Sequence, residues 1–173
     1  RLHSCTWPNF RGPLHKHRHP EAAFEHRDLP AIDGTSSLSP YLAAGAISPR
    51  QCVQMALDGD SPSSLQDDQH EGKRIWVSEL AWRDFYTHVL VGFDRVSKHQ
   101  PFKLKTNQLD WRVNQKELSA WKQGQTGFPI VDAGMRQLNQ TGWMHNRLRM
   151  VTAMFLTKNM LIDWRLGEAY FME

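Results

Sequence analysis

The sequence has little cysteine and no long hydrophobic run. Its two cysteines, Cys5 and Cys52, do not form a Cys-x-x-Cys pair, which argues against a disulfide framework and against a thiolate-bound zinc. No apolar stretch approaches the roughly 18 residues that span a bilayer, and the polar, histidine-rich first 20 residues contain no signal-peptide core. These absences predict a cytoplasmic protein, or a nuclear one in a eukaryote, with reduced thiols and no membrane-bound segment.

The charges of the chain are nearly balanced, whereas tryptophan is abundant. The 173 residues include 21 lysines and arginines against 18 aspartates and glutamates, a net charge of +3, which permits an acidic partner without requiring one. This length suits one domain with a hydrophobic core. Each of the seven tryptophans needs a partner for its indole N–H group when buried. For Trp111, Trp121 and Trp164, filling of the core is the simplest interpretation.

The residue pattern predicts an all-α fold. No segment alternates apolar and polar residues over six positions between turn residues, as a half-buried strand would. Apolar residues at helical spacing, with prolines at helix starts, predict helices over 40–44, 49–57, 74–91, 109–121, 129–140 and 143–160. Ser39 and Ser48 are the predicted N-caps of the first two helices, and residues 58–72 are predicted to be a solvated loop. The predicted glycine stops are Gly45, Gly59, Gly124 and Gly142.

A hydroxyl-rich turn leads into the first predicted helix. It comprises Thr35, Ser36, Ser37, Leu38 and Ser39. Hydroxyls and backbone N–H groups at a helix start together bind anions such as phosphate. No glycine-rich phosphate motif lies beside this turn, so the residues alone favour a plain serine-rich cap.

The helix predicted over 74–91 carries an unusual mixed face. Residues at i, i+3, i+7 and i+10 share one side of a helix, and here they are Trp76, Glu79, Arg83 and Tyr86, with Trp82 at the flank. Rings favour burial while a carboxylate and a guanidinium need partners, which is typical of a concave, half-polar pocket. The equally weighted alternative is a buried helix with an internal ion pair between Glu79 and Arg83.

The start of the last predicted helix places amide, cationic and thioether groups together. The residues at one face are Trp143, Asn146, Arg147 and Met150, and Arg149 is close by. An amide beside arginine suits the edges of heterocycles and phosphate groups. The alternative is a surface turn with solvated arginines, in which His145 is structural rather than catalytic.

From Arg27 to the end, the chain resembles the FAD-binding helical domain of cyclobutane pyrimidine dimer photolyases, in the photolyase and cryptochrome superfamily. The resemblance is carried by RDLPAIDGTSSLSPYLAAGAISPRQ, WVSELAWRDFY, QTGFPIVDAGMRQLNQTGWMHNRLRM and LIDWRLGEAYFM, which occur in the family's order. It implies an irregular lead-in over 1–26 and a partial FAD-binding domain over 27–173. The N-terminal antenna domain and the C-terminal part of the helical domain are then absent, and we expect this fragment alone to bind FAD weakly or not at all and to be inactive in repair.

The resemblance assigns residues to the cofactor. Thr35, Ser36, Ser37, Leu38 and Ser39 match the loop that holds the FAD phosphates. Trp76, Arg83 and Arg149 match positions of the flavin pocket, and Asn146 matches an amide that faces both flavin and dimer. Trp111 and Trp164 match the outer and middle members of the tryptophan chain that photoreduces the flavin.

The resemblance also assigns residues to DNA. Glu79 matches a carboxylate that hydrogen-bonds the flipped pyrimidine dimer, and Trp82 matches a ring that packs against it. The other positions implied in DNA or dimer contact are Arg27, Arg83, Tyr86, Asn146, Arg147 and Met150.

The implied activity is light-driven repair of pyrimidine dimers by electron transfer from reduced FAD. The implied protein is a monomer without a bound metal, and a folate or deazaflavin antenna is expected only in the full-length protein. One alternative is a cryptochrome-like FAD photosensor without repair activity, against which Glu79, Trp82 and Asn146 argue. The other is a helical DNA-binding module, suggested by Arg147 and Arg149.

Overall fold

The computed structural model of the protein describes residues 26–57, 61–66 and 71–173. These residues form helices and turns and no strand, which confirms the predicted all-α class. The chain divides into two compact units, residues 1–89 and 90–173. Cys5, the predicted stop at Gly59 and most of the predicted lead-in over 1–26 lie outside the described residues. No helix in the described ranges is long and apolar enough to cross a membrane.

The first unit begins with two of the predicted helices. Helix α1 spans Ser39–Ala43 and helix α2 spans Pro49–Leu57. The predicted cap at Ser48 is confirmed, since its hydroxyl accepts from the Gln51 amide at 3.2 Å and its own amide donates to Gln51 Oε1 at 2.9 Å. The cap at Ser39 is wrong: the backbone is already helical at Leu38, so Ser39 lies inside the helix and makes no side-chain cap bond.

The predicted loop over 58–72 is partly helical. A 3₁₀ turn spans Pro62–Gln66, and helix α3 spans Glu71–Gly92. Helix α3 therefore begins before the predicted start at Arg74. An acidic residue in the first turn interacts favourably with the helix dipole, and Glu71 occupies that turn.

The second unit contains four further helices among its described residues. Helix α4 spans Gln115–Gln123, α5 spans Pro129–Thr141, α6 spans Asn146–Met154 and α7 spans Trp164–Met172. Two 3₁₀ turns, Val96–Lys98 and Leu104–Gln108, precede them, and a π-helical turn, Phe155–Asn159, follows α6. The predicted stops at Gly124 and Gly142 are confirmed as left-handed C-caps.

Two of the predicted helix starts in this unit are too early. Helix α4 does not begin at Leu109, because the Asn114 side chain caps it by accepting from the Glu117 amide at 3.1 Å. Helix α6 does not begin at Trp143, because His145 is its N-cap. Helix α7 was not predicted, although Asp163, which accepts from the Arg165 amide at 3.0 Å, is a recognisable capping residue.

Helices α4 to α7 and their connections enclose the core of the second unit. Trp121 has no exposed surface, and its indole N–H donates to the Thr152 carbonyl at 3.0 Å, so core filling is confirmed for this tryptophan. The apolar residues at helical spacing over 143–160 face this core: Leu148 and Leu156 are buried, whereas Val151 and Phe155 are half-buried against it. The buried cluster consists of Leu118, Trp121, Val131, Met135, Met144, Leu148, Leu156, Met160 and Ile162.

A buried carboxylate organises the turn between α4 and α5. Asp132, only 6% exposed, accepts from the Thr126 amide at 2.8 Å, the Thr126 hydroxyl at 2.6 Å and the Gly127 amide at 3.0 Å. Desolvation raises the pKa of this carboxyl, but the hydrogen bonds from Thr126 and Gly127 and the charge of Arg136 together outweigh it, and the net shift is downward. The charged form is therefore the one that the fold stabilises.

We expect Asp132→Asn to lower the free energy of unfolding by about 1–3 kcal/mol at pH 7, because one acceptor becomes a donor that faces other donors. Since the pKa of Asp132 is lowered on folding, its contribution is complete above the ordinary carboxyl pKa, about 3.9, and is lost as the pH falls through the folded-state value. Urea unfolding at pH 7 and at pH 3 measures both effects. The exposed Asp110→Asn is the control, and equal losses in the two variants would contradict the prediction.

Candidate flavin and DNA site

The predicted site residues fall into two groups, one in each unit. The first unit holds Arg27, the hydroxyl loop over 35–39 and the residues of α3. The second unit holds Trp111, the first turns of α6 and Trp164. Each group is described within its own unit.

The hydroxyl loop is only partly solvent-exposed. Residues 35–38 are half-buried and Ser39 is exposed. Gly34 is required before the loop, because a Cβ atom there would lie 2.5 Å from the His26 carbonyl oxygen. The hydroxyls of Thr35, Ser37 and Ser39 make no hydrogen bond within the described part of the chain, so they are available as donors. Because α1 has only five residues, these hydroxyls, rather than a helix dipole, are the candidate anion-binding groups of the loop.

The carboxylate of Glu79 is paired, but not as the helix pattern predicts. Arg27 Nη1 lies 2.9 Å from Glu79 Oε1, while Arg83 Nη2 donates to the Leu42 carbonyl at 3.3 Å. The alternative of an internal pair between Glu79 and Arg83 is therefore wrong. Arg27, distant in sequence, reaches the carboxylate, and Arg83 joins α3 to the end of α1.

Three exposed rings form an aromatic cluster on α3, consisting of Trp82, Phe85 and Tyr86. Trp82 is 52% exposed and Tyr86 is 61% exposed. The Trp82 ring centroid lies 5.5 Å from that of Phe85 and 6.0 Å from that of Tyr86. Phe85 was not among the predicted site residues. Exposed flat rings of this kind are platforms on which nucleic-acid bases stack.

The first turns of α6 carry Asn146, Arg147, Arg149 and Met150. Asn146, Arg147 and Met150 are exposed, whereas Arg149 is half-buried. Trp143 precedes the capping residue and lies outside the helix, so its predicted place on this helix face is wrong.

Arg149 has an unusual environment for a cation. Its guanidinium lies 4.9 Å from the centroid of the Phe171 ring, and burial lowers the pKa of Arg149, although an arginine remains charged in proteins. Among the described residues no carboxylate forms an ion pair with it. A half-buried guanidinium without an acidic partner suits an anionic or electron-rich ligand.

A cavity of about 290 Å³ brings Arg149 and Trp164 together in the second unit. Its lining is mostly apolar, with Leu156 and Phe171, but it also includes the carboxylate of Glu168. Trp111 does not line it. A larger cleft, of about 490 Å³, contains none of the predicted site residues, so its size alone does not connect it with the predicted chemistry.

Trp164 is held in place by its neighbour. The Arg165 guanidinium lies 4.9 Å from the centroid of the Trp164 ring. The guanidinium donates to Asp163 Oδ2 at 3.1 Å, to the His99 carbonyl at 2.7 Å and to Asn107 Oδ1 at 3.0 Å. These hydrogen bonds join the start of α7 to the loop before α4. In the described ranges no cluster of three or more His, Cys, Asp or Glu residues is arranged to hold a metal ion.

Comparison with known proteins identifies the family. A sequence model described as the FAD binding domain of DNA photolyase matches residues 76–173. The chain belongs to this photolyase family. The predicted residues of α3, α6 and α7 lie within the matched range, whereas Arg27 and the hydroxyl loop precede it. The resemblance stated from the sequence is thereby confirmed, while the roles of the individual residues remain predictions.

Named relatives and solved structures agree with this family. The chain is 55% identical to the deoxyribodipyrimidine photo-lyase of Salmonella typhimurium over 146 residues. These residues make up 84% of this chain and 30% of the relative. The chain is 53% identical over 148 residues to the deoxyribodipyrimidine photo-lyase of Escherichia coli, covering 86% of this chain and 30% of the relative. The chain thus spans about 30% of the length of the curated relatives it matches.

Among solved structures, a class III photolyase from Agrobacterium tumefaciens superimposes with a TM-score of 0.77 at 40% identity, over 90% of this chain and 32% of that one. An archaeal photolyase from Sulfolobus tokodaii, solved with two FAD molecules, gives a TM-score of 0.72 at 37% identity, over 91% and 32%. A cryptochrome from Synechocystis gives 0.68 at 33% identity, over 88% and 31%.

Proposed function

We propose that this chain forms part of the FAD-binding domain of a lyase that uses light to split cyclobutane pyrimidine dimers in DNA. The observation that carries the proposal is the half-buried guanidinium of Arg149, which forms no ion pair among the described residues and lines a mostly apolar cavity together with Trp164 and Glu168. This environment is costly for a cation unless a ligand compensates its lost hydration. A flavin, with electron-rich edges and a flat apolar ring system, fits that requirement.

The residues that would hold FAD are of two kinds. The hydroxyls of Thr35, Ser37 and Ser39 would donate to its phosphate oxygens, for which they have no competing partner among the described residues. Arg149 and Asn146 would contact the flavin by charge-assisted and amide hydrogen bonds. When bound, reduced FAD supplies the light-excited electron that splits the dimer, while the protein supplies binding, orientation and electrostatics.

The residues that would meet DNA are exposed, as this role requires. Trp82 and Tyr86 offer rings for a base that is extruded from the duplex, which a damaged, weakly stacked base permits at lower cost. Glu79 would bond the dimer, and Met150 would contact it. The Arg27 guanidinium, 2.9 Å from Glu79, would orient this carboxylate until a dimer displaces or shares the pair. Arg147 would bind a phosphate.

Electron supply to the flavin is the proposed role of two tryptophans. Trp164 lines the cavity of Arg149, and Trp111 is half-buried, as an outer member that exchanges electrons with a solution donor would be. Trp121, whose N–H group is committed to Thr152, is a core residue instead.

A titration of FAD into the purified chain, followed by flavin fluorescence, tests the cofactor site. We expect Arg149→Ala to weaken binding by about tenfold or more, the effect of losing a charged hydrogen bond. Arg50→Ala, which removes an exposed arginine of α2, is the matched control. Equal affinities of wild type and Arg149→Ala would contradict the assignment of Arg149.

A cryptochrome-like photosensor is the second candidate function, favoured by the similarity to the Synechocystis structure. A dimer-containing oligonucleotide illuminated with the complete FAD-loaded protein separates the two. Splitting of the dimer that is lost in Glu79→Gln supports repair, and flavin photoreduction without splitting supports the photosensor. A helical DNA-binding module would instead bind damaged and intact DNA equally, with an affinity that falls steeply with salt.

A further inference from the structure

The N-cap of helix α6 is a buried histidine. His145 is only 2% exposed, and its Nδ1 atom accepts a hydrogen bond from the Arg147 amide at 3.1 Å. Its carbonyl accepts the first helical bond, from the Arg149 amide, at 2.9 Å. Serine, threonine, aspartate and asparagine are the residues that usually cap helices. The sequence alone indicated only that His145 is structural.

The chemistry of this cap requires one protonation state. An imidazole nitrogen that accepts a hydrogen bond carries no proton, so His145 is neutral with its proton on Nε2. In the imidazolium both nitrogens are donors, and Nδ1 would then face the Arg147 amide without an acceptor. Protonation of the ring therefore removes the acceptor on which this cap depends.

We propose that His145 is a positioning residue that, in its neutral form, holds the first turn of α6 and releases it on protonation. That turn carries Asn146 and Arg147, and the next carries Arg149 and Met150. The effect of His145 on ligand binding rests on the proposed function, whereas its role as a titratable cap does not.

Three described segments contact His145. Helix α5 contributes the uncharged Gln137, whose Oε1 lies 3.4 Å from the His145 amide nitrogen. The segment before α6 contributes the Trp143 ring, which meets the imidazole edge-on with centroids 6.3 Å apart. The charged groups on α6 itself are Arg147 and Arg149. The ring is therefore packed as well as hydrogen-bonded, so its position is defined.

Nuclear magnetic resonance of the flavin-free chain tests the cap directly. In wild type at pH 8 we expect the His145 proton on Nε2 and a protected Arg147 amide. His145→Asn and His145→Ala both remove the ring, but only asparagine retains an acceptor. We therefore expect hydrogen-exchange protection at Arg147 to be roughly fivefold lower in the alanine variant than in the asparagine variant, the loss typical of a removed N-cap.

The pH dependence distinguishes a titratable cap from a packing role. Between pH 8 and pH 5, after correction for intrinsic exchange, protection at Arg147 should fall in wild type and stay constant in His145→Asn. A proton on Nδ1 at pH 8, or a wild-type protection that does not change with pH, would overturn the proposal. The wild-type tautomer decides the question even if both variants fail to fold.

The consequence for ligand binding is measured separately. We expect FAD affinity to fall in His145→Ala and to be restored in His145→Asn. If wild type binds no FAD while the exchange results hold, the proposed function fails and the titratable cap stands. If all three proteins bind FAD equally, His145 does not position the site, and that part of the proposal is overturned.

Discussion

Trp121→Ala is expected to lower the free energy of unfolding of the second unit by about 3–5 kcal/mol. The side chain has no exposed surface, so its removal leaves a large cavity among the helices of the core. Its ring centroid lies 5.5 Å from that of Phe171 and 5.9 Å from that of Tyr170. The substitution also leaves the Thr152 carbonyl without the indole donor that it meets at 3.0 Å.

Urea unfolding followed by circular dichroism measures this loss. Trp121→Phe should lie between wild type and Trp121→Ala, because it retains an aromatic ring but not the N–H group. Val113→Ala, at a position that is 98% exposed, is the control and should change the free energy of unfolding by less than about 0.5 kcal/mol. A loss in Trp121→Ala no larger than that of the control would refute the assigned core role.

Gly124→Ala is the second substitution with a large expected effect, a loss of about 3 kcal/mol in the free energy of unfolding. Gly124 ends α4 with a φ of +64°, and a Cβ atom there would lie 2.7 Å from the Asp132 carbonyl oxygen and 2.9 Å from Arg136 Cγ. The left-handed conformation alone costs an alanine roughly 1–2 kcal/mol. The approach to the backbone of α5 adds to that cost, because a carbonyl within a helix cannot move away freely.

Gly142→Ala provides a matched control for the conformational part of this loss. Gly142 ends α5 with a φ of +67°, and a Cβ atom there would meet nothing within 4 Å. The difference between the two variants in urea unfolding therefore measures the close approach of α4 and α5 alone. Equal losses would show that the left-handed backbone accounts for the whole effect.

Helical periodicity, with prolines at helix starts and glycines at helix ends, located most of the helices. Six helices were predicted and are present, and Gly124 and Gly142 end theirs as expected, because only glycine adopts the left-handed conformation without cost. Helix α7 and the 3₁₀ turn over Pro62–Gln66 were missed, and most of the other errors lie at helix starts. Periodicity continues through residues that are not helical, whereas the true start depends on one capping hydrogen bond, made by Asn114 in α4 and by His145 in α6.

The candidate site was harder to predict than the fold. Residue type and spacing placed Glu79, Arg83 and Tyr86 on one helix, but they also suggested a pair between Glu79 and Arg83 that does not form. The partner of Glu79 is Arg27, and helix periodicity carries no information about a residue outside the helix. Phe85 was missed because its exposure depends on which surfaces the other elements leave uncovered.

The sequence by itself determined the all-α class, the approximate helix positions and the photolyase family, because these follow from local pattern and from motifs in order. Only the tertiary structure decided that Arg149 is desolvated beside Trp164 and that Trp121 bonds Thr152. It also decided that Arg165 joins α7 to a distant loop. Burial and hydrogen-bond partners depend on segments far apart in the chain, which meet only when the helices pack.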